Sequence, residues 1–314
     1  PFTVLSCDNL PENGKTVRAV VLEFARLCNP ALADWIASET RFPSTMVDRI
    51  TPATTAEDID LLAQQTGYYD AAAVQHEPFF QWVIEDDFVD GARPDWSVAG
   101  AQFVKDVTAH EKMKLRCLNG THSALAYLGY LAGHETIADA VADADFAAFC
   151  EHLWQQEILP TVPPPEGQDL AAYTSELMTR YRNPAIRHRT WQIAMDGSQK
   201  LPQRVLGTVL DRLAQGALPE GLCMVVAAWM RYIGGVDEQG DAIDVRDPLA
   251  DHLKAVTDAA DTNAEKVTAL LGVSEVFDAR LSADEGFHAK VLEAYENLAS
   301  QGAKRTVQAF VSRL

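Results

Sequence analysis

The 314-residue sequence lacks the features that mark membrane proteins and nucleic-acid-binding proteins. No apolar run reaches the roughly 18 residues that a membrane-spanning helix needs, and no signal peptide opens the chain. Positive charge is also scarce, because 26 Lys and Arg residues stand against 45 Asp and Glu residues. The formal net charge of −19 argues against a broad surface for nucleic acid or for an anionic membrane, since both would be repelled.

Cysteines and the common catalytic motifs are sparse as well. The five cysteines are widely spaced and contain no Cys-x-x-Cys pair, which indicates a reducing compartment and predicts a cytoplasmic protein. The sequence has no P-loop, no His-Glu-x-x-His and no Gly-x-Ser-x-Gly. His110 and His122 are twelve residues apart and make a poor metal pair without a third ligand, so we predict no metal site.

Hydrophobic periodicity divides the sequence into a short α/β part and a longer helical part. Residues 2–7 and Thr45–Thr51 have strand composition, and a helical spacing of apolar residues runs from about Thr16 to Ser38. The pattern is helical from about Lys105 onward. The candidate helices there span residues 105–131, 135–157, 168–182, 201–215, 220–233, 247–258, 263–271 and 286–312.

The fold predicted from this pattern is mostly α. A multi-helical C-terminal domain covers residues 105–314, and a short α/β segment with a β-excursion at 79–104 covers residues 1–104. The chain opens without Met on a β-prone stretch, and it contains no Gly-x-Gly-x-x-Gly, the loop that cradles dinucleotide phosphates. We therefore expect a chain that begins inside an α/β unit and that binds a dinucleotide weakly or not at all by itself.

Residues 110–123 carry the strongest chemical pattern in the sequence. On an α-helix, which turns about 100° per residue, Glu111, Lys114, Asn119 and His122 share a face about 140° wide. The apolar residues that follow predict a buried helix, and burial should lower the pKa of a lysine toward the range useful for proton transfer. A nearby Asn can donate to a developing oxyanion, and a His can orient a hydroxyl group.

Each of these residues also has an ordinary structural interpretation. Lys and Glu three apart on a helix usually form a solvated ion pair, and Asn-Gly usually marks a helix end or a turn. A non-catalytic helical module that binds an acidic metabolite or a protein is therefore the alternative from another class. The convergence of Lys, Asn and His on one face favours catalysis, because a binding module has no need for it.

A second cluster, residues 180–204, is basic within an acidic chain. Its six cations stand against the single acid Asp196 and give a local charge of +5. The cations are Arg180, Arg182, Arg187, Arg189, Lys200 and Arg204. Such a cluster suits a small ligand that bears a carboxylate or a phosphate. Ion pairs with the acidic surface elsewhere are the alternative for each cation.

The sequence resembles the mannitol dehydrogenase family of polyol-specific long-chain dehydrogenases. The family signature Lys-x-x-x-x-Asn-x-x-His appears here as Lys114, Asn119 and His122. Further blocks of the family resemble residues 6–9 with 13–14, 45–50, 77–79 with 81–86, and 196–202. The resemblance implies NAD as the cofactor. It also implies that residues 1–104 are the tail of a Rossmann-type domain, a remnant of the cofactor-binding domain.

The resemblance also implies a role for each residue of the first cluster. Lys114 is the implied general acid/base, and Glu111 would gate the proton path from Lys114 to water. Asn9 and Asn119 would form the oxyanion hole at the reacting carbonyl. His122 would position the substrate.

Five further residues receive implied roles in binding. Lys200, Gln192 and Arg189 are the implied substrate-binding residues, with Lys200 directed at substrate hydroxyl or carboxylate groups. Val47 and Asp48 would lie near the nicotinamide.

The implied reaction depends on the branch of the family. Residues 188–200 are most similar to the fructuronate reductase branch, and Gln192 stands where mannitol-oxidising members carry Arg. This implies that D-mannonate and D-fructuronate are interconverted with NAD(H) and without a metal. A mannitol 2-dehydrogenase, or another polyol or uronate dehydrogenase such as a tagaturonate reductase, is the alternative. We expect a small-molecule substrate, no nucleic-acid or membrane partner, and a monomer or weak dimer.

Overall fold

The computed structural model describes residues 1–314 and contains two compact units. The first unit consists of Pro1–Lys114 and Pro164–Glu166, and the second of Leu115–Pro163 and Gly167–Leu314. The boundary falls inside the predicted catalytic helix, so each predicted site residue belongs to one unit and is described within it. No helix in either unit has both the length and the apolar character that a membrane crossing would need.

The first unit begins with two helices where the sequence predicted one, from Thr16 to Ser38. α1 spans Asn13–Cys28 and α2 spans Pro30–Glu39. Asn29 separates them, because its side chain accepts two backbone N–H groups at the start of α2 while Pro30 occupies the first helical position. The buried core around both helices consists of Leu22, Ala25, Ala33, Ile36 and Phe42.

α1 buries a different face from the one that its apolar spacing suggests. Val20, Phe24 and Leu27 follow the helical spacing, yet they are 61%, 68% and 81% exposed. Leu22 and Ala25 are the residues of α1 that reach the core. A helical period identifies a candidate face, and the tertiary structure decides which part of it is covered.

Three strands form one sheet in the order β1-β2-β3. β1 spans Thr45–Asp48, β2 spans Gln81–Glu85 and β3 spans Gln102–Val104. β1 and β2 are antiparallel, with Met46 opposite Val83, whereas β2 and β3 are parallel. Segment 79–104 therefore supplies two of the three strands of this sheet.

Two more helices complete the first unit. α3 spans Ala56–Thr66, and Thr55 caps it in a reciprocal arrangement with Asp58. α4 spans Thr108–Met113 and ends at the boundary between the units. The strand predicted at residues 2–7 is wrong, because its backbone forms only a single isolated β-bridge.

The prediction of a short α/β segment ahead of the helical domain was also wrong. The first unit has four helices, a three-stranded sheet and two separate hydrophobic cores. The sequence argument rested on one missing glycine-rich loop and on the opening residues. A loop motif is local, so its absence carries no information on how much of the surrounding helices and strands is packed together.

The second unit contains helices and their connecting loops. Its α-helices are α5 (Thr121–Leu131), α6 (Ile137–Ala142), α7 (Ala144–His152), α8 (Leu170–Tyr181), α9 (Thr190–Ala194), α10 (Gly197–Leu201), α11 (Gly207–Ala214), α12 (Glu220–Ile233), α13 (Ala250–Asp258), α14 (Asn263–Leu271), α15 (Ala279–Ser282) and α16 (Glu285–Val311). The bounds of α12 and α14 are those that the periodicity predicted. The short helices α9 and α15 were not predicted.

α12 is the central helix of the second unit. Every residue from Gly221 to Ile233 is buried except Arg231, so the helix is covered on all sides. It packs against α5 and α16. α16 is bent at Gly302, whose φ of 82° is outside the helical range. A helix that is apolar all round belongs in the centre of a core.

Three segments of widened π-helix interrupt the α-helices. They are π1 (Lys114–Gly120), π2 (Leu153–Ile158) and π3 (Pro202–Leu206). Pro202 has no N–H group and cannot make the usual α-helical bond, which accounts for the change at π3. Widened turns of this kind occur frequently at functional sites.

Candidate active site

The predicted catalytic helix is not a uniform α-helix. The chain runs from α4 through π1 into α5, so the turn of about 100° per residue does not hold between Lys114 and Gly120. Hydrogen bonds in a π-helix join residues five apart. Lys114 and Asn119 are five apart, and in π1 they are therefore separated by about one turn.

Lys114 and Asn9 lie together in the first unit. The Lys114 Nζ donates to the Asn9 Oδ1 at 2.6 Å, although the two residues are 105 positions apart in the sequence. Lys114 is half-buried. An ammonium held this close to an amide oxygen is in a fixed position, as a proton-transfer group has to be.

The loop that carries Asn9 is anchored by Asn13, whose side chain is almost completely buried. The Asn13 Nδ2 donates to the Asp8 carbonyl at 2.9 Å and to the Thr45 carbonyl at 3.0 Å, and its Oδ1 accepts the Thr45 N–H at 2.9 Å. Gly14 permits this contact, because a Cβ there would lie 2.4 Å from the Phe42 carbonyl oxygen. Asn13 thus ties the Asn9 loop to the first residue of β1.

Sequence reasoning missed this anchoring role. In the sequence, Asn13 and Gly14 stood out only as part of a block of family similarity. An Asn-Gly pair does favour turns. The only available signal was that the pair directly precedes a helix, and nothing local showed that β1 would be its partner.

Glu111 is held by the backbone of the same loop. Its carboxylate accepts the Glu12 N–H at 3.2 and 3.4 Å, and Glu12 adopts the left-handed conformation with φ of 47°. Burial raises the pKa of Glu111 above its ordinary value, and the hydrogen bond from the Glu12 N–H opposes that shift. A carboxyl group with a raised pKa takes up a proton more readily than an exposed one, which suits it to proton exchange.

The residues predicted near the nicotinamide lie at the end of β1. Asp48 is 2% exposed, whereas Val47 is the one residue of β1 that keeps part of its surface accessible. An accessible apolar side chain at a strand end suits contact with a flat ring. The structure therefore places Val47 and Asp48 in the same unit as Asn9 and Lys114.

In the second unit, Asn119 and His122 are both buried, at 6% and 4% exposure. The His122 ring stacks on Tyr181 with a centroid distance of 4.7 Å and meets His188 edge-on at 5.2 Å. The Tyr181 hydroxyl donates to the Leu118 carbonyl at 2.9 Å, and this hydrogen bond fixes the Tyr181 ring on which His122 stacks. His122 is thus held by packing on two rings.

Gly120 allows π1 to approach π3 closely. A Cβ at Gly120 would lie 2.8 Å from the carbonyl oxygen of Arg204. The Arg204 guanidinium reaches the Ser123 hydroxyl at 3.5 Å. The close backbone contact thus sets Arg204 alongside the residues that follow Asn119.

Lys200 is only partly accessible and lies near the end of α10. Its Nζ donates to the Met195 carbonyl at 2.7 Å and forms an ion pair with Asp196 at 3.5 Å. Burial, with a further contribution from the charge of Arg204, lowers the pKa of Lys200. The lysine predicted to bind substrate is therefore part of a cationic cluster.

The other two predicted substrate residues are placed differently. Arg189 is about half exposed and forms an ion pair with Glu135 at 3.7 Å. Gln192 is partly accessible on α9 and makes no hydrogen bond within the chain. Lys200 therefore lies near Arg204. Arg189 instead forms an ion pair with the acidic surface, which was the alternative interpretation of each cation in this segment.

His188 is a member of this cluster that sequence reasoning left without a role. Burial, together with the charges of Arg204 and Lys200, lowers its pKa to about 4, so its imidazole is neutral near pH 7. Its Nδ1 is buried without a hydrogen-bond partner. The signal in the sequence was its place inside the basic segment 180–204. A histidine next to arginines carries no local mark of burial.

No group of three or more His, Cys, Asp or Glu side chains in the structure could hold a metal ion. The chain does match two protein-family models. Residues 106–299 match the mannitol dehydrogenase C-terminal domain, and residues 1–98 match the mannitol dehydrogenase Rossmann domain. This chain belongs to the mannitol dehydrogenase family. The resemblance inferred from its motifs is thereby confirmed.

Similar proteins span both substrate branches of the family. The chain is 52% identical to the D-mannonate oxidoreductase of Escherichia coli (strain K12), over 98% of this chain and 63% of that protein. It is 40% identical to the mannitol 2-dehydrogenase of Aspergillus terreus, over 99% of this chain and 62% of that protein. The chain therefore spans a little under two thirds of the length of these relatives.

A solved structure gives the same result for the fold. The ternary complex of Pseudomonas fluorescens mannitol 2-dehydrogenase with NAD and D-mannitol superposes with a TM-score of 0.90 at 38% sequence identity. The match covers 99% of this chain and 63% of that chain.

The family match to residues 1–98 completes the correction of the predicted fold. These residues match the Rossmann domain, and the description of them as a short tail of such a domain was wrong. The expectation of weak or no dinucleotide binding rested on the missing glycine-rich loop, and it stays a prediction.

Proposed function

We propose that this chain carries the catalytic residues of an NAD-dependent oxidoreductase that interconverts D-mannonate and D-fructuronate. The 52% identity to a D-mannonate oxidoreductase supports the choice of substrate. The observation that carries the proposal is the hydrogen bond of 2.6 Å from Lys114 to Asn9, which brings together two residues of the implied proton-transfer site. A surface ion pair of Lys114 would not require this contact.

The proposed chemistry assigns the proton to Lys114. In the oxidation of D-mannonate, the neutral Lys114 amine accepts the proton of the reacting hydroxyl group. The side-chain amides of Asn9 and Asn119 donate to the oxygen as negative charge develops on it. His122 orients the substrate hydroxyl groups, and Glu111 passes the proton on toward water.

NAD, when bound, supplies the hydride acceptor, and it fits the first unit at Val47 and Asp48. Val47 offers the accessible apolar surface and Asp48 the buried carboxylate at the end of β1. In the reverse direction, protonated Lys114 returns the proton to the carbonyl oxygen of D-fructuronate. The same proposal includes a cofactor domain that ends at residue 104 and a substrate domain that begins at residue 105. It also includes a reaction without a metal, a cytoplasmic location, and a monomer or weak dimer.

The second candidate is a mannitol 2-dehydrogenase. The superposition on the Pseudomonas fluorescens enzyme, whose structure contains NAD and D-mannitol, supports it. The two candidates differ in one substrate group, because D-mannonate bears a carboxylate where D-mannitol bears a hydroxyl. A tagaturonate reductase would share the carboxylate and differ in sugar configuration.

The test is NADH oxidation by the purified chain with D-fructuronate, tagaturonate and D-fructose. We expect D-fructuronate to give the highest kcat/KM. Lys114→Ala should lower kcat by roughly 10²–10⁴, because the proton-transfer group is lost while the fold is kept. The exposed Lys105 provides the matched control, and Lys105→Ala should keep the parent rate.

Two results would contradict the proposal. A Lys114→Ala variant with near-normal turnover and the parent pH profile would make the helix merely structural. A chain that binds the sugar acid without ever oxidising NADH would favour the non-catalytic binding module instead.

A further inference from the structure

Arg204 is a partly buried cation without a hydrogen-bonded carboxylate partner. Its guanidinium makes one hydrogen bond, to the neutral Ser123 hydroxyl at 3.5 Å, and forms no ion pair. Burial lowers its pKa, with the Tyr127 and Tyr181 rings and Asp196 among the groups that influence it. Burying an arginine without a carboxylate partner is costly, so such a residue usually serves a ligand.

The neighbouring charges are already matched. Lys200 forms its ion pair with Asp196 at 3.5 Å and is also influenced by Asp247. The Asp247 carboxylate accepts the Ser198 N–H and hydroxyl at 2.7 and 2.6 Å. His188 is neutral near pH 7 because its pKa is about 4. Arg204 is therefore the cation of this cluster that has no ion pair of its own.

The position of Arg204 is fixed by its backbone as well. Its carbonyl oxygen packs so closely on Gly120 that a Cβ would lie 2.8 Å away, and its side chain reaches Ser123. Asn119 and His122 are the direct neighbours of those two contact residues in the sequence. A ligand positioned by Asn119 and His122 would therefore lie within reach of the guanidinium.

We propose that Arg204 binds the carboxylate of a sugar acid and so determines the preference for an acid over a neutral polyol. This inference rests on the proposed function and names the residue that selects its substrate class. The planar guanidinium presents paired N–H donors that match the two oxygens of a carboxylate. Lys200, whose Nζ lies in the same cluster, supplies the second cation beside the anion.

The single arginine without an ion pair favours a carboxylate over a phosphate. Its one positive charge matches a monoanion, whereas a phosphate monoester carries about 1.5 to 2 negative charges at neutral pH. A phosphate would leave part of its charge unmatched in a partly buried site. A sugar phosphate is therefore an outcome that the experiment has to distinguish.

The test measures binding by calorimetry for the full chain with NADH, which cannot react with an alcohol. The ligands are D-mannonate, D-mannitol and D-mannitol 1-phosphate. The parent chain should bind D-mannonate at least tenfold more tightly than the other two. Arg204→Gln should weaken D-mannonate binding by roughly 10- to 100-fold, as expected for a lost charge-assisted pair, and should leave D-mannitol binding unchanged.

Two further variants separate recognition from folding. Arg204→Lys keeps the charge and loses the planar fork, so we expect an intermediate loss for D-mannonate. Arg305 is an exposed arginine on α16, and Arg305→Ala should bind all three ligands like the parent chain. Thermal unfolding of each variant identifies any that is misfolded. If Arg204→Gln fails to fold, the test rests on the loss of D-mannonate binding relative to D-mannitol binding in Arg204→Lys.

The inference is overturned by three outcomes. These are equal binding of D-mannonate and D-mannitol by the parent chain, equal losses for both ligands in Arg204→Lys, or tightest binding of the phosphate. A chain that does not oxidise NADH could still bind D-mannonate preferentially, with a preference that depends on Arg204. That result would support the role of Arg204 and would contradict only the proposed catalysis.

Discussion

Gly120 provides the sharpest test of how the second unit holds its site residues. Replacing it with alanine adds a single methyl group within π1. That Cβ would lie 2.8 Å from the carbonyl oxygen of Arg204, whereas the next nearest atoms are 3.9 Å away. The clash is therefore with one backbone atom of π3, which cannot turn aside as the end of a flexible side chain can.

The expected magnitude follows from two opposing effects. Alanine is favoured over glycine within a helix by about 1 kcal/mol. Overpacking against a backbone atom costs about 1–3 kcal/mol, because the neighbouring segment has to shift. We expect Gly120→Ala to lower the free energy of unfolding by up to about 2 kcal/mol. The forced shift of π3 should also weaken sugar-acid binding, since it moves Arg204.

Gly207 offers a matched control one segment away. A Cβ there would lie 3.6 Å from the Pro202 carbonyl oxygen, which is an ordinary contact distance. Gly207→Ala should therefore be neutral or stabilising by up to about 1 kcal/mol. Urea denaturation of both variants, followed by calorimetry with D-mannonate, measures the two effects. Equal stability of the two variants would refute the close-packing argument.

Three further perturbations test other parts of the structure. Glu157 accepts two backbone N–H groups at the start of α12, at 2.7 and 2.8 Å. Glu157→Ala should therefore lower the free energy of unfolding, measured by urea denaturation, by about 3 kcal/mol, and Glu157→Gln should lower it less. The pKa of His188 is about 4 in the fold, below its ordinary 6.5, because burial disfavours the imidazolium. As the pH falls, the unfolded state therefore takes up a proton at His188 before the folded state does. The free energy of unfolding should decrease by up to about 3 kcal/mol between pH 6.5 and pH 4. His188→Gln should show a smaller decrease over the same range. Thr55 caps α3, so Thr55→Ala should lower the free energy of unfolding by about 1 kcal/mol, whereas Thr55→Ser should keep the parent stability. Equal stability of the two variants would argue against the capping interaction.

Helical content was predicted well because the signal for it is local. The bounds of α12 and α14 follow from apolar periodicity, and those of α12 also from the breakers Pro219 and Gly234. The break between α1 and α2 was missed, although Asn29 and Pro30 together form a cap and a helix start. The apolar spacing on both sides of Asn29 concealed that signal.

The candidate site was predicted in part. Lys114, Asn119 and His122 follow from one short stretch of sequence, because their spacing is local. The contact of Lys114 with Asn9 could be expected only from the family resemblance, since 105 positions separate the two residues. The lack of an ion pair at Arg204 could not be expected, because the pairing of a cation depends on which carboxylates the fold brings near it.

The sequence by itself determined the helical second part, the signature residues on one helical stretch, the basic segment 180–204 and the family. These features depend on neighbours within a few positions, where periodicity and residue chemistry act directly. The tertiary structure alone decided that the signature stretch adopts a π-helix, that Asn13 ties the Asn9 loop to β1, and that Arg204 lacks an acidic partner. Each of these features depends on contacts between residues far apart in the sequence. Such contacts form only when packing brings the backbone segments together, so no local pattern encodes them.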